Sequence, residues 1–78
     1  MNRSIVLDRD KTGENLRVLI QQSGLSYDDI ADYLNLNTAR VVYDWVNGFK
    51  LPKIEHLIML SRLLCVTLED ILEIKGVF

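Results

Sequence analysis

Cysteine, histidine, proline and glycine are all scarce in this chain of 78 residues, and each shortage excludes something. One cysteine, Cys65, leaves no disulfide framework. One histidine, His56, together with that cysteine cannot assemble a His/Cys metal cluster. Four glycines and one proline are too few for a turn-rich β sandwich or barrel. No uncharged apolar run approaches the roughly 18 residues of a membrane span. Arg3, Asp8, Arg9, Asp10, Lys11 and Glu14 interrupt the start of the chain, so no apolar export signal is read there. The expected setting is the cytoplasm, with no membrane partner and with Cys65 as a reduced thiol. Positive charge is also short. Nine Lys and Arg against eleven Asp and Glu leave a net charge of −2. A nucleic-acid-binding chain usually shows the opposite excess, so any such reading must rest on local arrangement.

What is present is apolar content. Residues of the AVILMFWYC set make up 49%, which rules out disorder across the whole chain. Folding a single domain of this size hides roughly 60% of the unfolded chain's surface, enough for one thin core.

The apolar residues recur with helical spacing. A first helix is expected over Thr12–Gln22, with Thr12 as N-cap, Leu16, Leu19 and Ile20 on one face, and Ser23-Gly24 as its stop. A second is expected over Tyr27–Leu34. Ser26 and Asp29 approximate a capping box there, Ile30, Ala31 and Leu34 point inward, and Asn35 makes a left-handed exit. A third spans about Ala39–Val46, capped by Thr38 or Asn37, with Val42, Trp45 and Val46 on its inner face and Asn47-Gly48 as its end. A fourth runs from about Lys53 to Leu64 along a stripe of Ile54, Leu57, Ile58, Ser61 and Leu64. Thr67 and Asp70 cap a last helix over 68–74, with Leu68, Ile71 and Leu72 inward. None of these short helices is stable alone in water, so their apolar faces must meet in an all-α, compact five-helix bundle. Residues 1–11 read as an N-terminal arm, 12–74 as the domain and 75–78 as a tail. Whether Ser4-Ile5-Val6-Leu7 is a short extended arm or a frayed end stays open.

Enzyme chemistry finds no foothold. His56 stands beside Glu55 without a nucleophile at any telling spacing, and it reads as a surface or structural residue. Cys65 follows Leu63-Leu64 and precedes Val66, an apolar setting that suggests a buried, inert thiol. Asp28-Asp29 is explained by complementation of a helix start. No glycine-rich phosphate loop occurs. No catalytic residue, metal site or cofactor is expected.

The informative segment is 24–52, two short helices joined by a tight turn. At about 100° per residue, Arg40, Tyr43, Asp44 and Asn47 cluster on one side of the second helix. Val42, Trp45 and Val46 fall about 180° away. One face anchors the helix; the other presents polar side chains, as a major-groove reader requires.

This segment resembles the Cro/repressor-type (XRE-like) helix-turn-helix regulators. Leu25-Ser26, Asp28-Asp29-Ile30-Ala31, Leu34, Val42, Trp45, Gly48 and Pro52 fall into the family pattern. Thr67-Leu68-Glu69-Asp70-Ile71-Leu72 resembles the family's last-helix ending. The resemblance covers about 12–74. It implies the phage-repressor-like bundle, with a helix-turn-helix at about 26–47, and sequence-specific binding of double-stranded DNA by a small transcriptional regulator of the repressor kind. Three departures stand out. The stretch from Leu34 to Trp45 is one residue longer than the common form, which enlarges the turn around Asn35-Leu36-Asn37. A branch of Gram-positive regulators has a similar hydrophobe-Tyr-x-Trp signature, which here reads Val42-Tyr43-Asp44-Trp45. An arginine–glutamate pair between the first and third helices is replaced by Ile20 and Val46, an acceptable apolar exchange. The glutamine that usually starts the second helix, and touches the DNA backbone in the family, is Tyr27.

The candidate DNA-binding residues are Ser26, Tyr27, Thr38, Ala39, Arg40, Tyr43, Asp44, Asn47, Lys50 and Lys53. The Arg40 fork matches guanine, and Ala39 allows close approach or packs on a thymine methyl. Thr38 caps the third helix and reaches phosphate, and the Tyr27 hydroxyl is a phosphate donor. Asp44 either accepts from cytosine or is solvated or paired with Arg40. Asn47, Lys50 and Lys53 suit backbone contacts. Trp45 belongs to the core by phase. So few cations imply a modest electrostatic contribution and weak binding by one subunit. A homodimer is expected, with Met59, Leu60, Leu63, Ile74, Val77 and Phe78 as candidate interface residues. The competing reading is a protein-interaction module, or an antitoxin-type partner protein on the same fold, favoured by the acidic balance and by Asp44.

Overall fold

The computed structural model describes residues 4–77. Five helices run in chain order: α1 Arg9–Ser23, α2 Tyr27–Tyr33, α3 Arg40–Val46, α4 Ile54–Leu64 and α5 Leu68–Ile71. Two short strands flank them, β1 Ile5–Leu7 and β2 Ile74–Val77, paired antiparallel. Ile5 faces Val77 and Val6 faces Gly76; an irregularity follows, and Leu7 faces Ile74. The five-helix architecture is the expected one, with this small ribbon added to the all-α reading. The segment read as an arm contributes β1 and the first turn of α1. Of the segment read as a tail, residues 75–77 belong to β2, and Phe78 lies outside the described residues.

Helix α1 starts earlier than its apolar pattern suggests, because Asp8 is its cap. Asp8 has extended backbone geometry and its carboxylate accepts from the Lys11 N–H at 3.0 Å. Thr12, expected as that cap, sits one turn inside the helix and is buried. Its hydroxyl accepts from the Glu73 N–H at 3.0 Å. This explains a second difference. Helix α5 ends at Ile71 rather than continuing to residue 74, because α1 has taken the backbone that follows. Asn15 donates to the Ile71 carbonyl at 3.1 Å, and the Asp8 N–H donates to the Glu73 carbonyl at 2.8 Å. With those groups engaged, Leu72 turns extended and Ile74 enters the ribbon.

Two of the other caps follow the reading, whereas α3 has Ala39 rather than Thr38 or Asn37 at its cap position. Ser26 with Asp29 and Thr67 with Asp70 both close complete capping boxes. Asn35 takes the left-handed exit at φ 57°, and the Leu36 N–H reaches back to the Ala31 carbonyl at 2.9 Å. Cys65 does the same for α4 at φ 58°, and it is exposed, which corrects the buried reading of this thiol. A left-handed exit after Leu64 turns its side chain out of the core.

The core gathers Leu16, Ile20, Ile30, Leu34, Val42, Trp45, Val46, Leu57, Leu60 and Ile71. Helix α4 is rotated relative to its expected stripe. Leu57 and Leu60 face inward, whereas Ile54 and Ile58 are exposed. Leu60 is fully buried and is thereby removed from the candidate dimer surface. Met59 and Leu63 are partly buried against the same core. Ile20 and Val46 are both buried within it, as the apolar exchange requires.

Candidate nucleic-acid interface

The third helix is seated from below. Val42, Trp45 and Val46 are buried, the Trp45 residue being only 4% exposed. The Trp45 ring lies 5.5 Å from the half-buried His56 ring, between centroids. The closest approach comes from α1 through Gly13. A Cβ built there would stand 2.5 Å from the Trp45 carbonyl oxygen and 2.8 Å from that of Val46. Only a residue without a side chain lets the two backbones meet this closely.

The end of α3 is held with equal care. Gly48 takes φ 77°, and the Phe49 N–H donates to the Asp44 carbonyl at 2.9 Å. Two arginines of α1 then reach this region, Arg17 at the helix's carbonyl end and Arg9 in the turn beyond it. Arg17 donates to the Val46 carbonyl and to Asn47 Oδ1, both at 3.3 Å. Arg9 donates to the Phe49 carbonyl at 3.4 Å. Positive charge at a helix C-terminus complements the aligned peptide dipoles. Arg17 was not among the sequence candidates. It lies three residues before Ile20, one turn along the same helix, and that spacing is the signal that would have found it. The turn that opens α3 is fixed from Thr38, whose hydroxyl accepts from the Arg40 N–H at 2.8 Å. Ala39, the residue at the cap position, makes no side-chain cap of its own.

On the opposite side of α3, Arg40, Tyr43 and Asn47 are exposed and Asp44 is half-buried. The phase read from the sequence therefore separates the two faces correctly. Arg40 and Asp44 do not pair. Among the described residues the salt bridge within 4.0 Å is Lys53 to Glu55, both well exposed. Lys50 is exposed beyond the turn, and the half-buried Ala39 precedes Arg40. At the start of α2, Ser26 is exposed and occupied by its capping duty, accepting from the Asp29 N–H at 3.0 Å. The Ser26 backbone N–H, and then its hydroxyl, hold the Asp29 carboxyl below the ordinary carboxylate range, so that carboxylate stays charged. Tyr27 is partly buried, its ring in a T-shaped contact with that of Tyr43, centroids 4.6 Å apart. Helices α2 and α3 are thus tied by an aromatic pair as well as by the core.

The cleft of about 290 Å³ lies elsewhere, lined by Val6, Leu7, Asp8, Arg9, Asp10 and Lys75; no residue of α2 or α3 lines it. No helix of the described residues is long and apolar enough to cross a membrane.

Comparison with known proteins agrees with this geometry. No curated protein matches the chain. Among solved structures, the crystal structure of the DNA-binding domain of BldD superposes with a TM-score of 0.70 at 22% identity, covering 85% of this chain and 94% of that one. At that identity the likeness is one of fold. The family model for the Cro/C1-type helix-turn-helix DNA-binding domain matches residues 15–76. That span takes in α2 to α5 and α1 from Asn15 onward, and the chain belongs to the Cro/C1-type helix-turn-helix DNA-binding family.

Proposed function

We propose that this protein is a transcriptional repressor that lays α3 in the major groove of a specific operator. The observation that carries the reading is the outward stripe of α3, backed by a buried indole and a glycine-tight contact with α1. Arg40 offers its planar fork to the two acceptors of guanine, a contact worth about 1–3 kcal/mol of discrimination. Ala39 permits close approach to the base edges. Asp44 lies on the flank of the stripe and rejects bases that present only acceptors. Thr38, Asn47, Lys50 and Lys53 flank the helix and fix its register on the phosphates, whereas Ser26, a candidate by sequence, is spent on Asp29 in its capping box. Asn47 is suited to this: its amide oxygen accepts from Arg17, which leaves its NH₂ free to donate.

The charge supply is small. Neutralising about four phosphates would give a salt slope near −4, and one subunit would read roughly 4–5 base pairs. Useful affinity then comes from a homodimer on two half-sites about one helical turn apart. A cytoplasmic setting follows from this role.

A second reading is favoured by Asp44 on the presented face and by the net charge of −2: a protein-interaction or antitoxin-type module on the same fold. Selection of duplexes from a random pool separates the two. The repressor reading expects a symmetric motif, and Arg40→Ala should bind the selected duplex at least about fivefold more weakly while keeping its thermal unfolding. Unchanged affinity in that variant would reject groove reading through Arg40, and an unselected pool would favour the partner protein.

A further inference from the structure

Tyr43 is out of keeping with its neighbours. It shares the presented face of α3 with Arg40, Asp44 and Asn47, yet it is a large aromatic residue left 52% exposed. Keeping that much apolar surface in water is unfavourable. The ring is nonetheless not free to wander. Tyr27 stands against it edge-to-face, the planes 80° apart and the centroids 4.6 Å apart. Edge-to-face pairs are attractive beyond the area they cover. Tyr27 is itself packed against the hydrophobic core, at the start of a helix closed by a complete capping box. Tyr43 therefore has a fixed neighbour against its ring and about half of its surface open, on the same exposed face as Arg40.

The hydroxyl of such a ring can donate or accept at any base edge, but its braced carbon face has one matching base. In the major groove adenine, guanine and cytosine present donors and acceptors, whereas thymine alone presents a methyl group. A ring pressed on a polar edge would leave that edge without hydrogen bonds. Resting on the groove reading of α3, we infer that Tyr43 selects thymine at one operator position through contact with its C5-methyl group. Tyr27 is the positioning residue that holds the ring for this contact. Because the ring is ordered before DNA arrives, little rotamer freedom is lost on binding. Arg40 lies one helical turn before Tyr43, about 5–6 Å along the surface. That distance sets the thymine within one or two base steps of the guanine that Arg40 reads.

The test uses the intact chain and a duplex obtained by selection from a random pool. Each thymine is replaced singly by deoxyuridine, which deletes the methyl group and nothing else. At one position the wild-type protein should lose about fourfold in affinity, the worth of one buried carbon. Tyr43→Ala should bind the thymine and uracil duplexes equally. Tyr43→Phe should keep the uracil penalty, since the ring and not the hydroxyl carries it. Tyr27→Leu should shrink the penalty while leaving the cost of changing the Arg40 guanine as it was, a split that simple unfolding would not produce. A penalty that persists in Tyr43→Ala overturns the inference. So does a uniform loss across all duplexes in Tyr43→Phe, the mark of a phosphate donor. If the pool yields a motif in which no thymine is sensitive to uracil, the thymine contact alone is refuted. If it yields no motif, groove reading fails and this inference falls with it.

Discussion

Replacing Gly13 by alanine measures how closely α1 and α3 are pressed together. Two effects of opposite sign compete. In a helix interior alanine is favoured over glycine by about 1 kcal/mol, so on propensity alone the variant should be more stable. Against this stands the steric cost. The new methyl carbon would lie 2.5 Å from the Trp45 carbonyl oxygen, 2.8 Å from the Val46 oxygen and 3.0 Å from the Val46 carbonyl carbon. All three are main-chain atoms of α3, so no side-chain rotation relieves the clash. The helices must separate by at least about half an ångström, which loosens Trp45, Val42 and Val46 in their seats. Overpacking of this kind costs about 1–3 kcal/mol, and a rigid backbone neighbour belongs at the upper end. The expected net loss is about 1–2 kcal/mol. For a domain of this size that lowers the melting temperature by roughly 5–15 °C. Urea denaturation monitored through Trp45 fluorescence should show a lower midpoint at an unchanged slope. DNA affinity should fall as well, since the same separation displaces α3. An alanine variant as stable as the wild type, or more so, would refute the claim that this contact seats the presented helix.

Substitutions at two further positions probe the caps. Cys65→Gly should raise stability by about 0.5 kcal/mol: the left-handed backbone at φ 58° suits glycine, and the gain is partly offset by the freer unfolded chain. Cys65→Ala should give no such gain, and equal melting temperatures for the two variants would count against backbone strain. Asp29 supplies a pH dependence. Its pKa is lower in the folded protein than in the unfolded chain, chiefly through the Ser26 backbone N–H. The carboxylate therefore contributes stability that is present above the ordinary carboxylate range and is lost as the pH falls through it, below about pH 5. Asp29→Asn should flatten that acid limb of the urea midpoint against pH, and a limb of unchanged steepness would assign acid sensitivity to other groups.

Most of what local chemistry decides was legible beforehand, the Cys65 exit and the Ala39 cap position being the exceptions. The Ser26/Asp29 and Thr67/Asp70 boxes, the Asn35 exit and the two faces of α3 need only neighbouring residues to declare themselves. Where a distant group competes, they were not. Thr12 has the credentials of an N-cap, but Glu73, far along the chain, needs its hydroxyl, and Asp8 takes the cap instead. Residues 72–74 continue an apolar pattern, but their backbone groups are already engaged by α1. For α4, apolar residues occupy so much of the circumference that periodicity could not choose between the Ile54–Ile58 and Leu57–Leu60 faces. The packing of α1 and α5 makes that choice.

The same distinction governs the interface. Helical phase alone was enough to place Arg40, Tyr43 and Asn47 outward and Trp45 inward. It could not show that Tyr43 leans on Tyr27, or that Arg17 turns toward Asn47, because both are contacts between elements. These are the features that convert an outward side chain into an oriented one. A surface arginine or tyrosine samples many rotamers, and holding each on a base edge costs about 0.5–1.5 kcal/mol of ordering. With few cations to supply non-specific attraction, the chain has little surplus to offset that cost after DNA arrives. An acidic member of this family should therefore depend more on bracing from behind than a basic one does. Tyr27 behind Tyr43 and Arg17 behind Asn47 are where that bracing is found.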